Sequence, residues 1–174
     1  MVSETTLRPA TQADEAFLFE LFKSVRTQEF APMGLPQAQL DMLLRIQYQG
    51  QTATYKDLYA DSRHSIVLCG GVPVGRMWVH RGTDEYCLVD IAFLPDYRNK
   101  GIGTELVRQL IAEAETAGAP LRCSVATSNS GSLKFHQRLG FAVTGRDQMY
   151  FRLEYRRTGS AGVGEGNAGQ FEAV

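Results

Sequence analysis

The sequence predicts one domain of the α+β (mixed α/β) class, with elements in the order β-α-α-β-β-β-α-β-α-β-β. Three features predict this class. The first third has apolar residues at helical spacing, the chain changes to short β-type runs from Ser65, and a long amphipathic helix follows a glycine-containing loop. With 174 residues, of which 44% are hydrophobic, the chain has enough material for one domain with a sizeable core.

The first third of the chain predicts one strand and two helices. Residues 6–9 are typical of a short opening strand, and Thr11 followed by Asp14 resembles a helix start with a capping box. Apolar residues then recur at helical spacing at Phe17, Leu18, Leu21, Phe22 and Val25. Residues 29–36 contain two prolines and a glycine and predict a loop, after which the second helix is expected.

The remainder predicts six strands and two helices. The expected strands are 65–69, 72–80, 86–94, 121–126, 141–144 and 149–155, with a turn at 145–147. The run 86–94 is apolar almost throughout, which is typical of a central strand covered on both faces. One helix follows the glycine-containing loop and ends at Gly118, and a short one covers 130–139. We interpret 1–157 as the domain and 158–174 as a flexible Gly/Ala-rich tail.

Composition and charge exclude several classes of partner. A formal net charge of -1 gives no general attraction to nucleic acid or to an anionic membrane, so any anion binding must be local. Residues 1–8 lack the apolar core of a signal peptide, and no stretch approaches transmembrane length. Three cysteines without motif spacing indicate neither a disulfide framework nor a metal site. We therefore expect a cytoplasmic protein.

The loop before the long helix is the segment most typical of a binding site. Its residues are Arg98, Asn99, Lys100, Gly101, Ile102, Gly103 and Thr104. Its glycines allow close approach of the backbone to a ligand, and its amides can converge on an anion at the positive end of the helix dipole. The spacing fits neither the dinucleotide fingerprint nor the Walker loop. Taken alone, the glycines are also compatible with a tight turn that caps a helix.

Two motifs in order resemble the signatures of the GNAT superfamily of N-acetyltransferases. Arg-x-x-Gly-x-Gly at 98–103, after the apolar strand 89–95, resembles the acetyl-CoA-binding signature. Residues 129–141, an Asn followed by a short helical stretch and Leu-Gly-Phe, resemble the second signature. The resemblance covers residues 6–155. It implies a GNAT-like fold, with a mostly antiparallel central sheet of six to seven strands that is splayed at the coenzyme site and flanked by about four helices.

The same resemblance implies an enzyme that moves an acetyl group from acetyl-CoA to a primary amine of a small molecule or peptide by direct attack. It also implies a set of coenzyme-binding residues. In this family the strand before the loop pairs with the pantetheine arm and the loop amides hold the pyrophosphate. By motif match these roles fall on Ile91, Ala92 and Phe93, on the loop Arg98 to Thr104, and on Asn129, Ser132, Phe135 and His136. Asn129 is equally suited to cap a helix, and Phe135 to fill the core.

The sequence identifies the catalytic residues less clearly than the coenzyme-binding residues. His136 stands where many relatives carry a tyrosine acid, and an imidazole donates a proton when charged or accepts one when neutral. It can also simply fill space. Ser124 and Cys87 occupy positions where some relatives carry a glutamate base. Glu85, two residues from Cys87, and Asp90 are candidate bases, although a carboxylate in an apolar strand needs a partner. Glu29 and a chain of water molecules stay open as alternatives.

The acceptor amine is expected between the first two helices and the sheet, where Glu29, Phe30 and Tyr48 are the candidate contacts. Packing explains these side chains equally well. Arg76, on the neighbouring strand, is expected to be exposed. Two other functions stay open, namely a non-catalytic acyl-CoA-binding module and a transferase of a longer acyl group. A homodimer is possible.

Overall fold

The computed structural model describes residues 4–155, so the predicted tail at 158–174 lies outside the described residues. The elements are β1 (Thr5–Pro9), α1 (Glu15–Phe30), α2 (Gln37–Leu58), β2 (Arg63–Cys69), β3 (Val72–Arg81), β4 (Tyr86–Phe93), α3 (Ile102–Ala117), β5 (Leu121–Ala126), α4 (Ser130–Arg138), β6 (Phe141–Arg146) and β7 (Tyr150–Tyr155). This order confirms the predicted α+β class. None of the helices in residues 4–155 is both long and apolar enough to cross a membrane.

The strands form one sheet in the order β1-β2-β3-β4-β5-β7-β6. All neighbours are antiparallel except β4 and β5, which run parallel. That parallel contact is short, because pairing begins at Tyr86↔Leu121 and ends at Leu88↔Cys123. Beyond this point β4 continues to Phe93 and β5 to Ala126 without pairing to each other. The two strands therefore separate, which confirms the predicted splay.

Helices cover both faces of the sheet. Consecutive residues of a strand point to opposite faces, and Ile66 and Val67 of β2 illustrate this division. Ile66 packs in a cluster with the apolar faces of α1 and α2, whereas Val67 belongs to a larger cluster built around α3. The α3 contribution to that cluster is Ile102, Leu106, Val107, Leu110, Ile111 and Ala114. The central strands are consequently buried from both sides.

The start of α1 is fixed by a charged cap. The backbone N–H of Thr11 donates to Asp14 Oδ2 at 2.8 Å, as the capping-box pattern predicts. Arg8 on β1 donates to both oxygens of the same carboxylate, at 2.6 and 2.8 Å. These hydrogen bonds tie the edge strand to the first helix. They also hold the pKa of Asp14 well below its usual range, the Arg8 hydrogen bonds being the largest cause.

The predicted loop at 29–36 is largely helical, so that prediction was wrong. The helix α1 continues through Phe30, and a 3-10 turn follows at Ala31–Met33. Pro32 does not prevent this turn, because the first residues of a helix need no N–H donor. Only Gly34, with a φ of 59°, ends the helical path.

The predicted turn at 145–147 was also misplaced. The strand β6 continues to Arg146, with an irregular register between Val143 and Gly145. The turn is organised instead by Asp147, whose Oδ1 accepts the backbone N–H groups of Met149 and Tyr150 at 2.8 and 2.7 Å.

Candidate active site

A cavity of about 160 Å³ lies where β4 and β5 separate. Its walls are the diverging strands, the inner sides of α1 and α2, and the first turns of α4. The lining residues are Leu21, Phe22, Val25, Arg26, Glu29, Gln51, Tyr55, Arg76, Leu88, Val89, Asp90, Ile91, Ala92, Cys123, Ser124, Val125, Ala126, Asn129, Ser132, His136 and Tyr150. The two halves of the chain thus meet at one site.

The loop 98–104 forms the N-terminal end of α3. Its backbone is left-handed at Asn99, with a φ of 59°, and at Gly101, with a φ of 86°. The N–H of Glu105 donates to the carbonyl of Gly101 at 3.0 Å and closes the first helical turn. The three amides before it, at Ile102, Gly103 and Thr104, have no acceptor inside the helix and point out of its positive end. Such an end suits an anion. The role of this loop as a coenzyme site stays a prediction.

The ring of Phe93 connects the loop to the sheet. A Cβ added at Gly75 of β3 would lie 2.6 Å from this ring, and one at Gly103 of α3 would lie 3.1 Å from it. A side chain at Gly75 would therefore collide with the ring, and one at Gly103 would press against it. The Gly103 position is also 3.6 Å from the ring of Phe135 on α4. The side chain of Phe93 therefore supports the loop, while Ile91 and Ala92 line the cavity.

Arg98 and Lys100 are held by local contacts. The Arg98 Nε atom donates to the carbonyl of Phe93 at 2.9 Å, and its terminal nitrogen donates to the carbonyl of Ser24 on α1 at 3.4 Å. The Lys100 ammonium lies 5.2 Å from the centre of the Tyr97 ring. Arg98 therefore fastens the loop to the end of β4 and to α1. The loop does not line the cavity itself; it contacts Phe93, the residue that follows the lining residues Ile91 and Ala92 on β4.

His136 on α4 is a buried member of the cavity wall, with 4% of its surface exposed. Its Nδ1 atom lies 2.9 Å from the carbonyl oxygen of Ser132. Because a carbonyl oxygen only accepts hydrogen bonds, Nδ1 carries the hydrogen and donates. Burial lowers the pKa of His136 and so favours the neutral ring, against the weaker opposite effect of the Ser132 carbonyl. The lone pair of the neutral ring is then on Nε2.

That Nε2 atom is buried and has no hydrogen-bond partner among residues 4–155. The rings of Phe135 and Phe141 pack edge-on against the imidazole, at centroid distances of 5.0 and 5.3 Å. A buried acceptor without a donor is unfavourable, so this atom is suited to receive a donor from a ligand. Asn129 and Ser132 also line the cavity, and Asn129 caps α4 by accepting the N–H of Ser132 at 3.0 Å.

Arg76 and Asp90 form an ion pair in the wall of the cavity. The Nε atom of Arg76 donates to Asp90 Oδ2 at 2.5 Å, and a terminal nitrogen donates to Gln51 Oε1 of α2 at 3.0 Å. The predicted exposure of Arg76 is wrong, since it is only 4% exposed. Asp90 thus has the partner that a carboxylate in an apolar strand requires.

Other predicted site residues lie elsewhere. Glu85 is paired with Arg122 near the surface and does not line the cavity. Glu29 lines the cavity rim and is paired with Arg26 at 2.9 Å. Phe30 packs against the cluster between α1 and α2. Tyr48 is 2% exposed, packs against Phe19 and Phe22, and does not line the cavity.

Among the lining residues that sequence reasoning did not assign to the site, four have charged or polar side chains. They are Arg26, Gln51, Arg76 and Tyr150. Tyr150 begins β7 and lies opposite Ala126 of β5, so the placement follows from strand pairing and not from a local motif. Tyr55 of α2 also reaches the cavity, where burial and then the charge of Asp90 raise its pKa above the ordinary value.

The family of the chain follows from a comparison with family models. The model of the acetyltransferase (GNAT) family matches residues 28–141, which span both motifs and most of the residues that line the cavity. The chain belongs to the GNAT acetyltransferase family. The resemblance predicted from the two motifs is therefore confirmed.

Individual relatives agree with this assignment over shorter segments. The chain is 41% identical over 59 residues to the [ribosomal protein bS18]-alanine N-acetyltransferase of Escherichia coli, and 41% identical over 51 residues to the L-amino acid N-acyltransferase MnaT of that organism. The segments cover 33% and 29% of this chain, and 40% and 30% of those relatives.

A solved structure agrees over almost the whole GNAT fold. The PaiA N-acetyltransferase of Thermoplasma acidophilum, solved in complex with coenzyme A, superposes with a TM-score of 0.67 at 18% identity. The match covers 88% of this chain and 99% of that one. At this identity the likeness establishes the fold alone.

Proposed function

We propose that this GNAT-family protein is an acetyl-CoA-dependent N-acetyltransferase that acts on a primary amine of a small molecule or peptide. The observation that carries the proposal is the separation of β4 from β5 next to the N-terminal end of α3. An extended thioester arm suits the open edge of β4 beyond Leu88, and a diphosphate suits the amides of the loop 98–104. Coenzyme A combines both groups, and it is present in the PaiA structure of similar fold.

Different elements of the chain are proposed to bind different parts of the coenzyme. Ile91 and Ala92 of β4 lie on one side of the cavity, and Asn129 and Ser132 lie on the other. The amides at the start of α3 supply donors without adding net charge, which suits a ligand that must leave after each turnover. The chemistry that the coenzyme supplies when bound is an acetyl thioester, which a neutral amine can attack directly.

His136 is the proposed proton carrier. Attack forms the bond between the amine nitrogen and the acetyl carbon and breaks the bond between that carbon and sulfur. The nitrogen must lose one proton, and the departing sulfur can gain one. A neutral imidazole with its lone pair on Nε2 accepts the first proton and can return it to sulfur. The hydrogen bond from Nδ1 to Ser132 keeps that lone pair inside the cavity wall. This arrangement favours a base over an acid that is already charged.

The acceptor is proposed to be a small amine. By their names, the two relatives act on an alanine of a ribosomal protein and on L-amino acids. Both kinds of substrate have an amine on an α-carbon. The cavity of about 160 Å³ has room for a compact acceptor beside the thioester.

The proposal is tested by incubating the full chain with acetyl-CoA and a panel of amino acids, amino-acid amides, short peptides and simple amines while free thiol is measured. Thiol release that depends on an amine, with the acetylated amine identified by mass spectrometry, is the expected result. Coenzyme binding in calorimetry without turnover of any amine would instead favour a non-catalytic module. Faster turnover with butyryl-CoA than with acetyl-CoA would favour a longer acyl group.

A further inference from the structure

The part of the cavity wall formed by β3, β4 and α2 contains a buried guanidinium with unpaired N–H donors. Of the five N–H donors of Arg76, one hydrogen bonds to Asp90 and one to Gln51. The remaining three have no acceptor among residues 4–155. Arg76 is 4% exposed and lines the cavity, so its guanidinium is within reach of a ligand bound there. A carboxylate is the natural partner of such a fork.

A matching acceptor atom is next to it. Asp90 receives Arg76 through Oδ2, while its Oδ1 has no hydrogen-bond donor in the described part of the chain. The site therefore presents free donors and a free anionic acceptor on two side chains that touch each other. An α-amino acid presents the complementary pair, a carboxylate and an amine on one carbon.

The net charge of the cavity lining also favours a ligand that has both an amine and a carboxylate. Its charged lining residues are two cations and two anions: Arg26, Arg76, Glu29 and Asp90. Their sum is zero, so a ligand with one charge of each sign leaves the cavity neutral. A simple ammonium leaves an uncompensated positive charge, and burying such a charge is unfavourable.

We propose that Arg76 binds the carboxylate of the acceptor, so that the substrates are free α-amino acids and not peptide N-termini. Asp90 receives the amine on the adjacent side. The apolar inner face of α1, formed by Leu21, Phe22 and Val25, accepts an uncharged side chain. This inference rests on the proposed acetyltransferase function, but adds a recognition element that none of the motifs contains.

The first test compares leucine, leucinamide and 3-methylbutylamine, which share a side chain and differ only at the carboxylate. After correction for the fraction of neutral amine, kcat/KM should be about tenfold to a hundredfold higher for leucine. Calorimetry on the protein saturated with coenzyme A should give the same order of affinity without requiring turnover. Equal values for leucine and leucinamide in both measurements would overturn the inference.

The second test changes the residues around the guanidinium. Arg76→Lys keeps the charge and loses the fork, so it should reduce the preference for leucine about tenfold while coenzyme affinity stays within twofold. Gln51→Glu has nearly the same shape and can still accept from Arg76, but its added anion should reduce leucine affinity about fivefold to tenfold. Gln39→Glu, on an exposed position of α2, is the matched control and should change nothing. If Arg76→Lys does not fold, the leucine affinity of Gln51→Glu tests the assignment to Arg76.

The outcomes separate the two proposals. Turnover of all three amines at similar rates refutes the carboxylate site and leaves the acetyltransferase function intact. Preferential binding of leucine without turnover supports the site and contradicts the enzyme. A leucine preference that survives in a folded Arg76→Lys variant and in Gln51→Glu refutes the assignment to Arg76.

Discussion

The Nδ1 atom of His136 donates to the carbonyl oxygen of Ser132, one helical turn earlier in α4, over 2.9 Å. This single hydrogen bond decides the chemistry of the ring. The only N–H of the neutral imidazole is paired within the helix, so Nε2 is left as an acceptor without a hydrogen-bond partner among residues 4–155. A tyrosine at this position would offer a proton to the departing sulfur, whereas the neutral histidine first has to accept one.

The first prediction concerns that ring. Nitrogen NMR should show His136 neutral at pH 7 with its hydrogen on Nδ1, and its titration should lie below the ordinary value of about 6.5 because burial disfavours the cation. His136→Phe, which keeps the aromatic packing, should lower kcat by about a hundredfold with coenzyme affinity nearly unchanged. His80→Phe is the control, since His80 does not line the cavity. A wild-type kcat in His136→Phe would exclude His136 as the proton carrier.

The position of His136 could be predicted from the sequence, but its state could not. The second motif fixes the place of this residue on α4, and the glycine pattern likewise predicts the loop before α3. Both depend on short segments whose local geometry is encoded by neighbouring residues. The tautomer depends on how the ring rotates against Phe135 and Phe141, and Phe141 lies on a strand beyond the helix. No local pattern contains that information.

Arg76 illustrates what the sequence could not give. A charged residue in an alternating strand is ordinarily on the exposed face, and that interpretation placed Arg76 in solvent. In the structure β3 is a central strand whose two faces are both covered, and Gln51 of α2 contacts the guanidinium from 25 positions away. Tyr150 reaches the cavity in a similar way, through the pairing of β7 with β5. Long-range contacts of this kind follow from topology.

The second prediction isolates charge at the loop. Gly101 has a φ of 86°, and a Cβ there would meet nothing within 4 Å, so the backbone and not crowding limits substitution. Asparagine and aspartate both tolerate this region and have the same size. Gly101→Asp should weaken coenzyme A binding at least tenfold more than Gly101→Asn, measured by calorimetry at low salt, because only aspartate repels the diphosphate. Equal losses in the two variants would mean that no anion binds at the loop.

The third prediction concerns the cap of α1. Replacing Asp14 by asparagine removes the ionic hydrogen bonds to Arg8 and weakens the cap at Thr11, so the free energy of unfolding should fall by about 1 kcal/mol in urea titrations. Because the folded pKa of Asp14 is depressed, its contribution is complete above the ordinary pKa of about 4 and is lost as the pH falls below it. Asp41→Asn, on the exposed side of α2, is the control. Equal losses in both variants would contradict the assignment.

The fourth prediction concerns acid sensitivity at His64. Its ring stacks on Trp78 at a centroid distance of 4.2 Å, and its Nε2 atom is buried without a partner in residues 4–155. Burial, followed by the positive charge of Arg76, lowers the pKa of His64 to about 4. The unfolded chain therefore takes up this proton first, near pH 6.5. The stability gained from the neutral ring is complete above about pH 6.5 and is lost as the pH falls towards 4.

His64→Phe keeps a flat ring against Trp78 and cannot be protonated. Between pH 7 and pH 4.5 the wild type should lose about 2 kcal/mol more of its free energy of unfolding than this variant, a figure reduced from the full shift because the ring is partly exposed. The measurement is the midpoint and slope of urea unfolding at the two pH values. Asp14 does not interfere, because its contribution changes only below about pH 4. If the two proteins lose stability in parallel over this range, the proton is taken up elsewhere and the ring of His64 is not the acid-sensitive group.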